Sequence, residues 1–261
     1  MHNPTVALLI STYNWPGALN LVLTSVLAQS KMPDEIIIAD DGSGEETRTL
    51  VENFSKKLNI THVWQEDIGF RKSLVLNKAV KKIKSDYIIQ IDGDIIIHPK
   101  FIEDHLQTAE EGYFVQGSRS MIIEQKSAEI LKSGQTNLSI FSYGLNNKFN
   151  AIRFPLLSPL FRLAPSNPFH LKGCNFAFWK KDFISVNGYY NGFEGWGGED
   201  YEFGARFLHA GVKRIRLKMK ALAFHIFHPV NCRANTGAND KIYQATLSQK
   251  LTYRDNGYQE V

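Results

Sequence analysis

The chain has 261 residues, of which 43% are hydrophobic and 21% charged, with a formal net charge of +4. That length suffices for one large domain with a substantial core. The mild charge suits anionic small substrates or a solvated surface, and it argues against nucleic acid as a partner, because Lys56, Lys57, Lys81, Lys82 and Lys84 fall on helical patterns without interleaved aromatics.

Val6 to Ser11 is a short apolar run of the kind expected for a buried parallel strand. Pro16 suits a first helical turn, and Leu19, Leu23, Val26 and Leu27 then line one helical face. Glu35 to Asp41 reads as a second buried strand ending in two carboxylates. Ser43 and Glu46 have the spacing of a capping box for a helix that buries Leu50, Phe54 and Leu58. A third, half-buried strand follows in ITHVWQ. Arg71 to Lys84 reads as a basic helix with Leu74, Leu76, Ala79, Val80 and Ile83 inward, and Asp86 to Asp94 as a fourth strand ending in acids. Such alternation predicts an α/β fold with a mainly parallel sheet and helices on both faces.

Beyond residue 112 the rhythm breaks. FVQGSRSMII is expected to form a strand crossing near the sheet. Residues 124–170 are expected to hold a short helical excursion and a loop, because Pro155, Pro159, Pro165 and Pro168 interrupt regular elements. Glu199 and Asp200 open a helix whose Phe203, Phe207 and Leu208 form a buried stripe and which Gly211 ends. Residues 239–257 read as an amphipathic helix suited to packing on the domain. We read one domain, with a first half at 1–115, a second at 116–230 and a helical extension at 231–261. No apolar run approaches the roughly eighteen residues of a membrane span, and the N-terminus lacks the basic start and long apolar stretch of a secretory signal. Cys174 and Cys232 make no disulfide framework and suit a reducing compartment.

In such sheets ligands bind beyond the carboxyl ends of the strands. Ser11, Thr12 and Tyr13, then Asp40 and Asp41, then Asp92 and Asp94 all fall at those ends. If the segment stays extended, Asp92 and Asp94 share one face, with Gly93 permitting close backbone approach. Two such carboxylates repel unless a cation sits between them, and Mg²⁺ or Mn²⁺ would satisfy them. The alternative is a turn with solvated acids. Asp40 and Asp41 also suit a turn, but a carboxylate there is able to accept the imide hydrogen of a uracil. His225 and His228 lie after an apolar run. On a strand their spacing puts the rings on opposite faces, so one of them at most would join a carboxylate at a metal. In NGFEGWGGED, the helix dipole accounts for Glu199 and Asp200 but not for Gly195, Trp196, Gly197 and Gly198. A glycine loop carrying a tryptophan suits stacking on a sugar ring, with a carboxylate beside it to take a hydroxyl proton.

Together these segments resemble the inverting family 2 glycosyltransferases of the GT-A fold (the Rossmann-like nucleotide-diphospho-sugar transferase fold) over nearly the whole chain. LLISTYN, IIIADDGS, GFRKSLVLNKA and IIQIDGDIIIHPKF look like the nucleotide-sugar half. LKGCNFAFWKKDFISVNGYYNGFEGWGGEDYEFGARFLHAG looks like the acceptor half and is similar to the GWGGED segment of β-1,4-galactosyltransferases. The resemblance implies that Thr12, Tyr13, Asp40 and Asp41 hold uridine, that Arg71 lies near the diphosphate, and that Asp92, Gly93 and Asp94 meet the nucleotide sugar. It implies Mn²⁺ or Mg²⁺ on Asp94 and Asp92 with His225 or His228, acceptor or sugar contacts from Asn175, Trp196, Gly197 and Gly198, a hydroxyl contact from Glu199, and Asp200 as base. Two departures stand out. Leu76 occupies a position where many relatives have arginine, and Tyr201 follows GWGGED where galactosyltransferases continue with acids.

The implied donor is a UDP-hexose or UDP-N-acetylhexosamine. The implied acceptor is a glycan or lipid-linked glycan of a bacterial surface polysaccharide, which places the chain in the cytoplasm or peripherally on the inner membrane. The rivals are a sugar nucleotidyltransferase, for which STYNWPG is a poor phosphate loop, and a noncatalytic carbohydrate-binding module, against which the four acids Asp92, Asp94, Glu199 and Asp200 argue. The lack of GxGxxG after any early strand argues against a dehydrogenase.

Overall fold

The computed structural model describes residues 4–163, 171–229 and 236–261; Pro165, Pro168 and Cys232 lie outside them. The first half alternates as expected: β1 (Val6–Thr12), α1 (Pro16–Leu27), β2 (Glu35–Asp40), α2 (Glu45–Ser55), β3 (Ile60–Trp64), α3 (Lys72–Lys82) and β4 (Tyr87–Asp92). There follow β5 (Ile95–Ile97), α4 (Phe101–Leu106), β6 (Tyr113–Gln116), β7 (Ser120–Ile122), α5 (Glu124–Ser133) and β8 (Leu145–Asn146). After 3₁₀ turns at Lys148–Ala151 and Pro155–Phe161 come β9 (Asn175–Trp179), α6 (Lys180–Ser185), α7 (Glu199–His209), β10 (Lys213–Arg216), β11 (Ala223–His225) and α8 (Thr236–Ser248).

Seven strands form the main sheet in the order β10-β6-β9-β4-β1-β2-β3. β1, β2, β3 and β4 run parallel, and β9 is antiparallel to both its neighbours, β4 and β6. The register sets Thr12 beside Asp40 and Ser11 beside Asp92, so three strand ends meet in one row. Alternate side chains of β1 enter opposite layers. Val6, Leu8 and Ile10 pack with Leu19, Val22 and Val26 of α1 and Val51 of α2, whereas Ala7 and Leu9 pack with Val75, Leu76 and Val80 of α3. Phe203 and Phe207 of α7 join this second layer beside Phe176 and Phe178. A smaller sheet, β5-β11-β7-β8, packs on the outer side of α1 through Leu21, Ile96, Ile122 and Phe224.

Several local expectations need correction. Ser43 does not cap α2: the N-cap is Gly44, and the Ser43 hydroxyl instead accepts the Asn14 amide at 2.8 Å. FVQGSRSMII does not form one strand, because Gly117 to Arg119 carry the chain from the main sheet to the small one. Gly117 is required at that crossing, since a Cβ there would sit 2.2 Å from the Asn175 amide group. In α3 the fully buried set includes Val75, and Leu74 is only half-buried. Helix α8 packs on α7, with Thr246 donating to Glu202 at 2.9 Å and the rings of Tyr201 and Tyr243 6.0 Å apart. Among the described residues no helix is long and apolar enough to cross a membrane.

Candidate active site

The carboxyl ends of β1, β2 and β4 meet the N-terminus of α7, and the acids collected there are held apart by specific partners. Strand β4 ends at Asp92, and Gly93 and Asp94 form a turn into β5. This overturns the expectation that Asp92 and Asp94 share one extended face. Asp92 accepts the Lys72 ammonium at 2.7 Å and the Ser11 hydroxyl at 2.9 Å on one oxygen. Burial opposes its charge, but Lys72 outweighs that and holds the carboxyl below its usual range. Gly93 donates to the Ser11 carbonyl at 2.7 Å, and a Cβ there would lie 2.9 Å from the same oxygen. Its close backbone approach is therefore to β1.

Asp94 turns the other way. Its Oδ2 lies 3.4 Å from Nε2 of His225 and 3.4 Å from Nε2 of His228. The donor atoms of the three residues all fall within 4.8 Å of one another. Both rings reach the carboxylate because β11 ends at His225, so the alternation of a strand no longer governs His228; the expectation that the two rings lie on opposite faces is corrected. Donors about 2.1 Å from a cation lie about 3.0–3.4 Å apart at right-angled to tetrahedral geometry. The two distances from Asp94 match that and are long for a direct hydrogen bond. Asp94 Oδ1 and His225 Nδ1 are buried without a hydrogen-bond partner. Burial and the charge of Asp92 push the Asp94 carboxyl up to about 7, whereas burial and Arg119 depress His225 to about 3, leaving a neutral imidazole. These residues fit a divalent cation; Asp92, engaged by Lys72, stands outside the group.

Asp200, in the first turn of α7, accepts the Gly173 amide at 2.7 Å. The Tyr189 hydroxyl lies 3.5 Å from its other oxygen. Gln90, buried in β4, donates to that same hydroxyl at 2.9 Å and approaches the Gly173 carbonyl at 3.4 Å, so one side chain braces both partners of Asp200. A Cβ on Gly173 would fall 2.4 Å from the Asp200 carboxylate. Glu199 is 8% exposed, and burial with the adjacent Asp200 pushes its carboxyl up to about 7; burial raises Asp200 too. Gly198 caps the helix at φ 98°, Gly197 stands at φ 102° with open space where a side chain would be, and Trp196 between loop and solvent is 40% exposed. Gly195 donates to the Phe70 carbonyl at 3.2 Å, which sets this loop beside Arg71.

The residues expected to hold the nucleotide are only partly presented. Thr12 ends β1 and is 8% exposed. Asp40 is 0% exposed, its carboxylate engaged by His62 at 2.8 Å and by the Ser43 amide at 2.8 Å. Asp41 is 5% exposed and accepts the Arg71 amide at 2.7 Å and the Gln65 side chain at 2.6 Å. Tyr13 is half exposed and donates to Asp67 at 2.9 Å. Arg71 spends its guanidinium on the Glu66 carbonyl at 2.7 Å. Asn175 is corrected outright. It is 1% exposed, bonds the carbonyls of Ser118 and Ala221 and the ring of His105, and so locks the sheet beneath the site instead of lining it.

Residues that the sequence reading passed over complete the arrangement. Lys72 is the cation among the acids: burial works against its charge, yet Asp92, Asp200 and Glu199 raise it well above the usual lysine range. Arg119 donates to the Cys174 sulfur, and its charge acts on Asp92, Asp94, Asp200 and His225 alike. Asp67 is an acid just past β3, in series with Asp40 and Asp92 at the other strand ends. Gln90 was visible as one polar residue inside the apolar run YIIQI; Lys72 and Arg119 carried no such mark.

Residues 7–169 match the family model described as glycosyl transferase family 2. The chain belongs to glycosyl transferase family 2. Residues 165–229 match a second model, described as the N-terminal domain of galactosyltransferase. The family 2 chain is 28% identical to a chondroitin synthase of Escherichia coli over 95% of its own length and 38% of the synthase. It is 27% identical to a hyaluronan synthase of Pasteurella multocida over 79% of its own length and 23% of that protein. It thus spans well under half of these relatives. Its fold is that of GT-A glycosyltransferases. A mannosyltransferase from Pyrobaculum calidifontis, solved with GDP-Man and Mn²⁺, superposes with a TM-score of 0.66 at 15% identity, covering 95% of this chain and 65% of that one. TarS of S. aureus, residues 1–349 with UDP, superposes with a TM-score of 0.65 at 14% identity, covering 92% and 64%.

Proposed function

We propose that this family 2 glycosyltransferase moves a hexose or N-acetylhexosamine from a UDP-sugar to a hydroxyl of a glycan or lipid-linked acceptor, with inversion, in bacterial surface polysaccharide synthesis. The observation that carries the reading is the pairing of a cation-ready group (Asp94, His225 and His228) with a braced, partly exposed carboxylate, Asp200, across Lys72. The similarity to synthases named for chondroitin and hyaluronan supports a polysaccharide acceptor. The neighbour holding UDP supports the choice of nucleotide, although another neighbour holds GDP-Man.

In this mechanism Asp200 accepts the proton of the acceptor hydroxyl as that oxygen attacks the anomeric carbon, and the bond from that carbon to the diphosphate oxygen breaks on the opposite side. One displacement converts an α-linked donor to a β-linked product. Burial raises the Asp200 carboxyl toward the pH at which a general base works best. The Gly173 amide holds the carboxylate toward the acceptor side. Asp94, His225 and His228 would hold Mn²⁺ or Mg²⁺, which when bound supplies positive charge to the departing diphosphate. Lys72 and Arg119 supplement that charge from the protein side. Tyr13 and Asp67 form the exposed pair at the uridine end, and Trp196 with its flanking glycines covers the sugar. A lipid-linked acceptor would place the enzyme at the cytoplasmic membrane face.

The test is UDP release across common UDP-sugars with and without Mn²⁺, beside Asp200→Asn. Turnover of one donor that depends on metal, lost by at least about 10³-fold in the variant with UDP binding retained, supports the assignment. Loss of UDP binding in Asp200→Asn would contradict the role of base.

A further inference from the structure

Most large apolar side chains of this protein are buried, but one short segment gathers several that are not. Leu156, Leu160 and Leu163 are 84%, 77% and 93% exposed, and Phe154 beside them is 47% exposed. They lie on and around the 3₁₀ turns at Pro155–Phe161, which Pro155 and Pro159 hold in a short raised ridge. The ridge is fixed to the body at both ends. Phe154 donates its amide to the Met219 carbonyl at 3.0 Å, Arg216 donates to the Arg162 carbonyl at 3.1 Å, and Leu163 bridges to Ile215. A cavity of about 150 Å³ between ridge and body is lined by Arg162, Arg216 and Lys220 among others. Nothing in folding asks for three leucines on the outside, and their transfer out of water is favourable.

The charge around the ridge says what covers it. Among the described residues, those that build this face, 148–163 and 213–221, contain no Asp or Glu. The acids that reach it from elsewhere, Asp104 and Glu110, are taken by Arg153 and Arg162. Arg216, Lys218 and Lys220 therefore add up without a carboxylate between them, and burial together with Arg216 depresses the Lys218 ammonium. A second copy docked face to face would bring two such basic sets together with no acids to pair them. An anionic lipid surface offers both an apolar interior for the leucines and negative headgroups for the rim.

We propose that the Phe154–Leu163 ridge, rimmed by Arg216, Lys218 and Lys220, is a membrane-docking surface that lays its leucines into an anionic bilayer. The inference deepens the membrane-facing acceptor of the proposed function and rests on it: the ridge would hold the enzyme where a lipid-linked glycan is presented. It needs no particular donor sugar.

The experiment is co-sedimentation with vesicles of phosphatidylcholine, with and without phosphatidylglycerol. The whole chain is compared with Leu156→Ser/Leu160→Ser/Leu163→Ser and with Arg216→Gln/Lys218→Gln/Lys220→Gln. The expected result is binding to the phosphatidylglycerol vesicles alone. It should weaken about tenfold or more in the leucine variant, by roughly fivefold per charge removed in the basic variant, and with added salt. Thermal melts check that both variants fold; if the leucine variant does not, the basic variant decides. Absence of wild-type binding to anionic vesicles, or binding indifferent to both variants, overturns the proposal. So does a lipid-free dimer, seen by light scattering, that the leucine substitutions abolish. UDP release in vesicle-free buffer is read separately, so a failed docking surface and a failed transferase assignment are told apart.

Discussion

Replacing Lys72 with methionine removes the cation around which the acidic end of the sheet is organised. Lys72 lies 2.7 Å from Asp92, with side chains 15% and 27% exposed. Without it, Asp92 keeps the Ser11 hydroxyl and the more diffuse field of Arg119. Truncating one partner of a fully buried pair costs about 3–5 kcal/mol, and an exposed pair is worth less than about 1. Partial exposure places this pair between them, at about 2–3 kcal/mol near neutral pH. The loss should depend on pH with a definite sign. Lysine stays charged throughout the range, but in the variant Asp92, Asp200 and Glu199 would all titrate higher in the folded chain than in the unfolded one. A carboxyl raised by folding favours the fold while protonated, and that contribution disappears as pH climbs through its folded value. The deficit should therefore be small near about pH 5 and close to full near about pH 8. Urea unfolding at both pH values measures it, and Asp92→Asn added to the methionine variant should restore at least about 1 kcal/mol. An equal deficit at both pH values, or no recovery in the double variant, would refute the view that Lys72 acts by holding these acids ionised.

Other outcomes follow from single contacts. Gly173→Ala sets a methyl group 2.4 Å from the Asp200 carboxylate; kcat should fall about 100-fold with little change in the KM for donor, and wild-type turnover would remove Asp200 from the reacting centre. His225→Ala and His228→Ala should each weaken Mn²⁺ binding by at least about tenfold, measured by calorimetry, whereas Asp92→Asn should weaken it less because Lys72 already engages Asp92. Glu199, ordinarily near 4.5 but raised to about 7, should destabilise the fold progressively between those values as pH rises, on the order of 3 kcal/mol in all. Melting curves of Glu199→Gln should accordingly fall less steeply with pH than those of wild type, and parallel curves would count against it.

How much of this could be read from the sequence depends on whether a feature is local. A strand buried on both faces must be an apolar run, so β1, β2 and β4 announced themselves, and so did the acids at their ends, because a run that stops in carboxylates stops at the sheet's edge. Strand β9 is equally apolar, yet composition carries no direction, and its antiparallel place between β4 and β6 is set by packing. The small sheet was invisible, since β5, β7, β8 and β11 have two or three residues each, too few to show a period. Long-range pairing decided the site. Asp40 and Asp41 look alike as strand-end acids, but His62, 22 positions away, engages one, and Gln65 with Arg71 engages the other. The exposed pair at that end is Tyr13 and Asp67, which only the fold brings together. For the same reason the two acids of DxD part company. A turn one residue past Asp92 sends the first acid to lysine and the second to two histidines, so one carboxylate keeps the site electrically stable while its neighbour stays open to a cation. Two acids with identical surroundings could not divide those tasks, since both would either bind the cation or bind the lysine.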